Sequence, residues 1–406
     1  MSYTFVEGGV CAAKGFSAGA VHAGIRKNRT KNDLALIVSK KPCAAAAIYT
    51  RNKVKGAPIL VTQAHLKDGR ARAFLCNSGN ANTCNADGVD IANAMCGSAA
   101  AALKISPADV IVASTGVIGQ PLPLSPITSA MPALAASLSE TGSADAAEAI
   151  MTTDTKRKEV AVRFPLGGNT CTIGGIAKGS GMIHPNMATM LCFVTTDAAI
   201  APALLQKALK CVADETFNMV SVDGDTSTND MLSILANGEA GNAEIVSMDA
   251  DYYHFAQGLM MVCRQIAKEL AADGEGASKL LECTVTGAPD KETAKKVAKS
   301  VVCSSLFKAA MFGEDANWGR ILCAIGYTDA EFEIDRVAVT LASDAGSIHV
   351  CENGAGVPFS EEEAKKALGE KEIRIEVDMG QGGESATAWG CDLTYDYVKI
   401  NGDYRT

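Results

Sequence analysis

Residues 178–197, KGSGMIHPNMATMLCFVTTD, pass from a polar segment punctuated by glycine and proline into an unbroken apolar run. Over 190–194 both alternating sets of side chains are apolar, the pattern of a strand buried on both faces. Strand patterns also cover 34–39, 46–50 and 71–76, the last leading into the polar NSGNAN at 77–82. VIVA at 110–113 ends on Ser114-Thr115-Gly116, and VAVRF at 160–164 follows the motif MTTDT at 151–155, where that strand region is read to begin. The remainder of the first 70 residues reads as short strands and turns. Helical patterns fall at 92–103, at 125–149 with Ser125 as N-cap and Pro126 at the first helical position, and at 201–214. A further helix is predicted over 252–272, with Val262, Ile266 and Leu270 on one face. Asp290 caps a long helix with Lys295, Lys296 and Lys299 outside and Val297, Val301 and Phe307 facing inward. The last 75 residues predict strands at 331–342, 372–380 and 385–401, separated by a helix whose Ser360 and Glu363 form a capping box. The pattern predicts an α/β protein.

Composition narrows the class. The 406 residues suffice for two domains, and 48% apolar with 20% charged residues fits a soluble globular chain. A net charge of −9 argues against nucleic acid as the main partner. No run approaches the roughly 18 apolar residues of a membrane span, and the N-terminus lacks a signal-peptide layout, so a cytoplasmic protein is expected. The fourteen cysteines contain no CxxC pair, which predicts free, mostly buried thiols and no zinc site.

Candidate chemistry centres on Thr189, where the loop meets the strand. A cut between Ala188 and Thr189 would give the threonine hydroxyl its own base, an α-amine with a pKa of about 7.7–8.0. Ser114-Thr115-Gly116, at a strand end, can present a hydroxyl and a backbone N–H side by side, the equipment for holding an oxyanion. The stretch IGGIAKGSGM, read as a loop, fails the phosphate-loop pattern; Lys178 is a solvated loop lysine or a cation near Thr189, suited to a substrate carboxylate or to lowering the pKa of a neighbouring amine. VDGDTSTND at 222–230 fails the EF-hand pattern, since Thr228 and Ile234 stand where Gly and Glu are required. Asp223, Asp225 and Asn229 are left to shape a pocket. Glu275, in the turn DGEGASK, suits the ammonium of an amino acid.

GMIHPNMATML closely resembles the self-cleavage motif of the ornithine acetyltransferase (glutamate N-acetyltransferase) family of arginine biosynthesis. KGFSAGAVHAGI, NSGNAN, STGVIG, MTTDT, DGDTSTND, DGEGASK, GEDANWGRI and NGDYRT follow the same family in order, from Lys14 to Thr406. The resemblance implies a fold of its own type, with mixed sheets against helices and two intertwined fragments, 1–188 and 189–406, associating as a heterotetramer. It implies acetyl transfer from N2-acetyl-L-ornithine to L-glutamate through acetyl-Thr189, with Thr115 and Gly116 as oxyanion donors. Thr153, Lys178, Thr189, Glu275, Asn401 and Thr406 match the family's substrate contacts. No metal or organic cofactor is implied; acetyl-CoA is an alternative donor for some members, and no residue decides that here. The rivals are an aminopeptidase or amidase with the same nucleophile, and an uncut binding protein.

Overall fold

A computed structural model describes residues 2–26, 30–184 and 190–403. The expected cleavage pair Ala188–Thr189 and the terminal Thr406 lie outside the described residues. Two compact units emerge: residues 1–179, 185–217 and 226–266 form one, and residues 180–184, 218–225 and 267–406 the other.

The first unit is built on a nine-stranded mixed sheet. Its order runs Thr4–Val6, Lys158–Leu166, Asn169–Lys178, Leu191–Thr196, Met231–Ala236, Leu34–Tyr49, Arg70–Asn80 and Val110–Val117, with Phe16–Val21 also paired to Leu34–Tyr49. Leu191–Thr196 runs parallel to Met231–Ala236, and Arg70–Asn80 parallel to Val110–Val117; the other pairs are antiparallel. Alternation sorts the side chains into two cores. Ala35, Ile37, Phe74, Cys76, Ile111 and Ala113 enter one. Leu34, Leu36, Ala73, Leu75, Val110 and Val112 enter the other, under the helices Gly88–Leu103 and Leu124–Ala136. Burial on both faces explains the continuous apolar runs, and all six residues of Leu191–Thr196 are buried.

The second unit carries a seven-stranded sheet in the order Ala355–Gly356, Gly346–Glu352, Ala338–Ser343, Glu372–Asp378, Leu280–Ala288, Glu384–Cys391, Val220–Ser221. Helix Lys291–Cys303 packs on its centre through Val297, Ala298 and Val301. Asp290 caps that helix by accepting from Thr293 N at 2.8 Å. Ser360 caps Glu361–Leu368 by accepting from Glu363 N at 3.3 Å.

Several expectations need correction. The segments 34–39 and 46–50 belong to one strand, Leu34–Tyr49, which carries Pro42 through a register shift between Val38 and Cys43. Ala57–His65 is a helix within the stretch read as strands and turns, opened by a proline in its first turn. The helix expected over 125–149 is two, Leu124–Ala136 and Ser143–Ala149, and Ser125 lies inside the first. The break falls where Ala18 and Ser139 exchange backbone hydrogen bonds at 2.9 Å. MTTDT is irregular, the strand starting only at Lys158. IGGIAK is strand rather than loop. Phe307 is buried as expected, but on a separate helix, Ser305–Phe312, capped by Ser304. Lys299 is half-buried and donates to Asn218 O at 2.9 Å. Of 331–342 only Ala338–Ser343 is strand, and of 385–401 the end forms helix Tyr395–Gly402.

Candidate active site

The strand Val110–Val117 ends the first unit's sheet, so one side of it meets no further strand. In a strand, every second residue turns its N–H and C=O to the same side. Side chains meet that outward row in turn. His65 Nδ1 donates to Val110 O at 2.9 Å. Thr62 Oγ1 donates to Val112 O at 2.9 Å and accepts from Val112 N at 3.0 Å. Asn229 Nδ2 donates to Ser114 O at 2.9 Å. Alternation makes Gly116 the next outward residue, beside the half-buried Thr115. Gly116 has φ of +134°, and a Cβ there would meet the backbone of Gly79 and Asn80, so the position requires glycine. Ser114 Oγ donates to Asn77 Oδ1 at 2.6 Å, which places NSGNAN behind the Thr115–Gly116 strand end.

Lys178 closes the strand Asn169–Lys178 and pairs with Leu191. Its ammonium is buried 3.9 Å from Asp154 Oδ2. Lys158 Nζ stands 2.8 Å from Asp154 Oδ1, and Gly179 N donates to the same oxygen at 2.6 Å. Burial alone would raise the Asp154 carboxyl, but Lys178, Lys158 and the Gly179 N–H outweigh it and hold it well below the usual carboxylate range. Thr152 N donates to Asp154 Oδ2 at 3.0 Å, so Thr153 lies in a turn shaped by this carboxylate. The motif MTTDT pointed to Thr153 and not to Asp154, for which the Asp-x-x-x-Lys spacing to Lys158 was the available signal. Asp230 is another of this unit's buried acids. Its Oδ2 makes no hydrogen bond among the described residues. Burial pushes its carboxyl well up, against the opposing pull of Ser227 and Lys178.

In the second unit, Glu275 and Asn401 are in direct contact: Asn401 Nδ2 donates to Glu275 Oε2 at 2.8 Å. Glu275 N donates to Ser180 O at 3.0 Å, and Gly181 leaves the space that the carboxyl occupies. Asp223 accepts from Met182 N at 2.6 Å and Ile183 N at 2.8 Å, fixing the segment that precedes Pro185. Burial raises the Asp223 carboxyl and these N–H donors oppose it. His184 contacts Ser221 Oγ through Nδ1 at 3.1 Å. Burial, with the Lys299 charge second, pulls its pKa down to about 4, so it is neutral at pH 7.

Thr115, Gly116, Thr153 and Lys178 therefore belong to the first unit, and Glu275 and Asn401 to the second. Within the first, Lys178 and the Thr153 turn share Asp154, while Thr115–Gly116 lie on the edge strand, five strands along the sheet order from that of Lys178.

Relatives agree along the whole chain. It is 52% identical over 404 residues to the arginine biosynthesis bifunctional protein ArgJ of Symbiobacterium thermophilum, covering 99% of this chain and 100% of that protein. It is 50% identical over 402 residues to the ArgJ protein of Caldanaerobacter subterraneus, covering 99% of each. The crystal structure of ArgJ from Bacillus halodurans matches with a TM-score of 0.50 and 45% identity, over 52% of this chain and 97% of that one. The model of the ArgJ family itself matches residues 17–406, and the chain belongs to that family.

Proposed function

We propose that the protein moves an acetyl group from N2-acetyl-L-ornithine to L-glutamate in arginine biosynthesis, through an acetyl-threonine formed on Thr189. The observation that carries this reading is the ArgJ match over residues 17–406, which includes GMIHPNMATML. The chain cuts itself between Ala188 and Thr189, giving fragments 1–188 and 189–406. Thr189 Oγ then attacks the acetyl carbonyl while its α-amine takes the hydroxyl proton. Thr115 Oγ and Gly116 N–H hold the oxygen that becomes negative, a placement supported by the outward row on the open sheet edge. Ornithine leaves; the glutamate amine attacks the acetyl-enzyme and restores Thr189, a ping-pong cycle.

Lys178 takes a substrate carboxylate as a point charge, Glu275 an ammonium, and Thr153, Asn401 and Thr406 complete the substrate contacts. Acetyl passes between two amino acids, so the cycle calls for no metal or organic cofactor. The bifunctional name of the relatives favours acetyl-CoA as a second donor to the same threonine. The two fragments form a heterotetramer, two of each, in the cytoplasm.

Intact mass under denaturing conditions, before and after mixing with acetyl-ornithine, tests the reading. Two fragments are expected, the one beginning at Thr189 gaining a single acetyl group that glutamate then removes as acetylglutamate. A single full-length species in active material would refute the mechanism. Free acetate as the main product with glutamate present would make the protein a hydrolase.

A further inference from the structure

Asn229 occupies a distinct place on the open edge. Its Nδ2 donates to Ser114 O at 2.9 Å and to Ala81 O at 2.6 Å. Both are carbonyls that can only accept, which fixes the end of the amide that is nitrogen. Its Oδ1 takes the Thr83 and Thr228 hydroxyls, each at 2.6 Å. The amide is buried and filled at both ends, so its position is set on every side. Two residues on, Met231 N donates to Met190 O at 2.9 Å. Met190 follows Thr189 in the chain. Three consecutive residues, 229–231, thus tie the strand bearing Thr115 and Gly116 to the residue bonded to Thr189.

We propose that Asn229 is a positioning residue for acetyl transfer: by holding Ser114 O, it fixes Gly116 N–H, the next group of the outward row, relative to Met190. This rests on the acetyl-threonine reading. Asn229 acts through the Ser114 peptide and makes no demand on substrate. Its loss therefore removes stabilisation that exists only in the transition state, and kcat falls while KM holds.

The test mixes the cleaved protein with acetyl-ornithine, without glutamate, and follows acetylation of the 189–406 fragment by quenched-flow mass measurement. The amplitude counts competent sites; the rate constant reports the chemistry. Asn229→Ala is expected to keep near-full amplitude with a rate constant about 10- to 100-fold lower, not exceeding the lower end of the 10²–10³ that loss of a whole oxyanion donor costs. Its KM for acetyl-ornithine stays within about threefold. Thr62→Val strips the neighbouring place on the same edge; it lowers the melting temperature but keeps the rate constant within about threefold. Wild-type rate in Asn229→Ala with only the amplitude reduced, or equal slowing in Thr62→Val, would overturn the inference. Should Asn229→Ala fail to fold or remain uncut, Thr83→Val decides. It leaves both Nδ2 bonds and loosens Oδ1, and about three- to tenfold slowing at full amplitude is expected. An unchanged rate would overturn the inference here too. If the wild-type fragment gains no acetyl group, the parent reading fails instead, and the two failures are separable.

Discussion

Asn401 Nδ2 donates to Glu275 Oε2 at 2.8 Å, joining residues 126 apart in sequence. Asn401 comes from helix Tyr395–Gly402, Glu275 from the turn that follows helix Ala250–Ala272. The amide occupies one carboxylate oxygen and restrains the rotation of the group.

Glu275→Gln keeps the size of the side chain and removes its charge. A hydrogen bond to a charged group contributes about 1.5–3 kcal/mol, roughly 10- to 150-fold in an equilibrium constant. The variant is expected to raise KM for acetyl-ornithine by about tenfold or more, with kcat changed less. Asn401→Ala, which only frees the carboxylate, should raise it by roughly threefold. Steady-state kinetics at fixed glutamate reads both. An unchanged KM in Glu275→Gln would remove the ammonium role.

Asp154 holds the charge balance of the first unit's buried cluster. Asp154→Asn leaves the ammonium groups of Lys158 and Lys178 facing an amide, and breaking a buried pair this way costs about 3–5 kcal/mol. The native carboxyl is held below its unfolded value of about 3.9. Its contribution is therefore fully present above that pH and is lost as the pH falls from about 4 toward the lower folded value. Urea unfolding at pH 7 should show the full deficit in the variant. The gap between the two proteins should narrow below about pH 4, and a gap independent of pH would contradict the assignment.

Gly116→Ala tests the backbone beneath the oxyanion role. A methyl group there is forced against Gly79 and Asn80 at a positive φ, so the strand end must shift. Acetylation should slow by about 100-fold or more even where folding survives, the cost of losing one oxyanion donor. A folded variant with wild-type turnover would take Gly116 out of the site.

Some strands of the first sheet were legible because burial on both faces leaves apolar runs that need no knowledge of the partner, although the equally buried Met231–Ala236 was not picked out. Leu191–Thr196 and Val110–Val117 are of this kind. IGGIAK was not, since its glycines read as loop. They serve packing instead: a Cβ at Gly174 would strike the backbone of Gly9, and one at Gly175 would press on Ile266 at 3.0 Å. The division of 125–149 was hidden for the same reason, because the Ala18–Ser139 pairing there is tertiary. Thr115, Gly116, Lys178, Glu275 and Asn401 were singled out by the family motifs they stand in, and their roles belong to the proposed function. Asp154 and the clamp made by Asn229 depend on which carbonyls and cations the fold brings near, and sequence spacing does not encode that.

Cleavage at 188–189 would cut the connection between two neighbouring strands without separating them. Asn169–Lys178 pairs with Leu191–Thr196 in unbroken register from Ile173↔Thr196 to Lys178↔Leu191. Met231–Ala236 from the second fragment is paired to Leu34–Tyr49 from the first, from Met231↔Tyr49 to Ala236↔Ala44. Phe193 and Leu235 lie in the same buried core as Phe74 and Ile37. Parting the fragments would expose those side chains, at about 1.5–3 kcal/mol for each large one, together with two rows of backbone groups. The 188- and 218-residue fragments, the latter from 406 − 188, should therefore elute as one species under native conditions. They should separate only in the denaturant range that unfolds the first unit, so fragment release and loss of ellipticity share one midpoint. Release at a lower denaturant concentration would mean that the shared sheet does not hold the cut chain together.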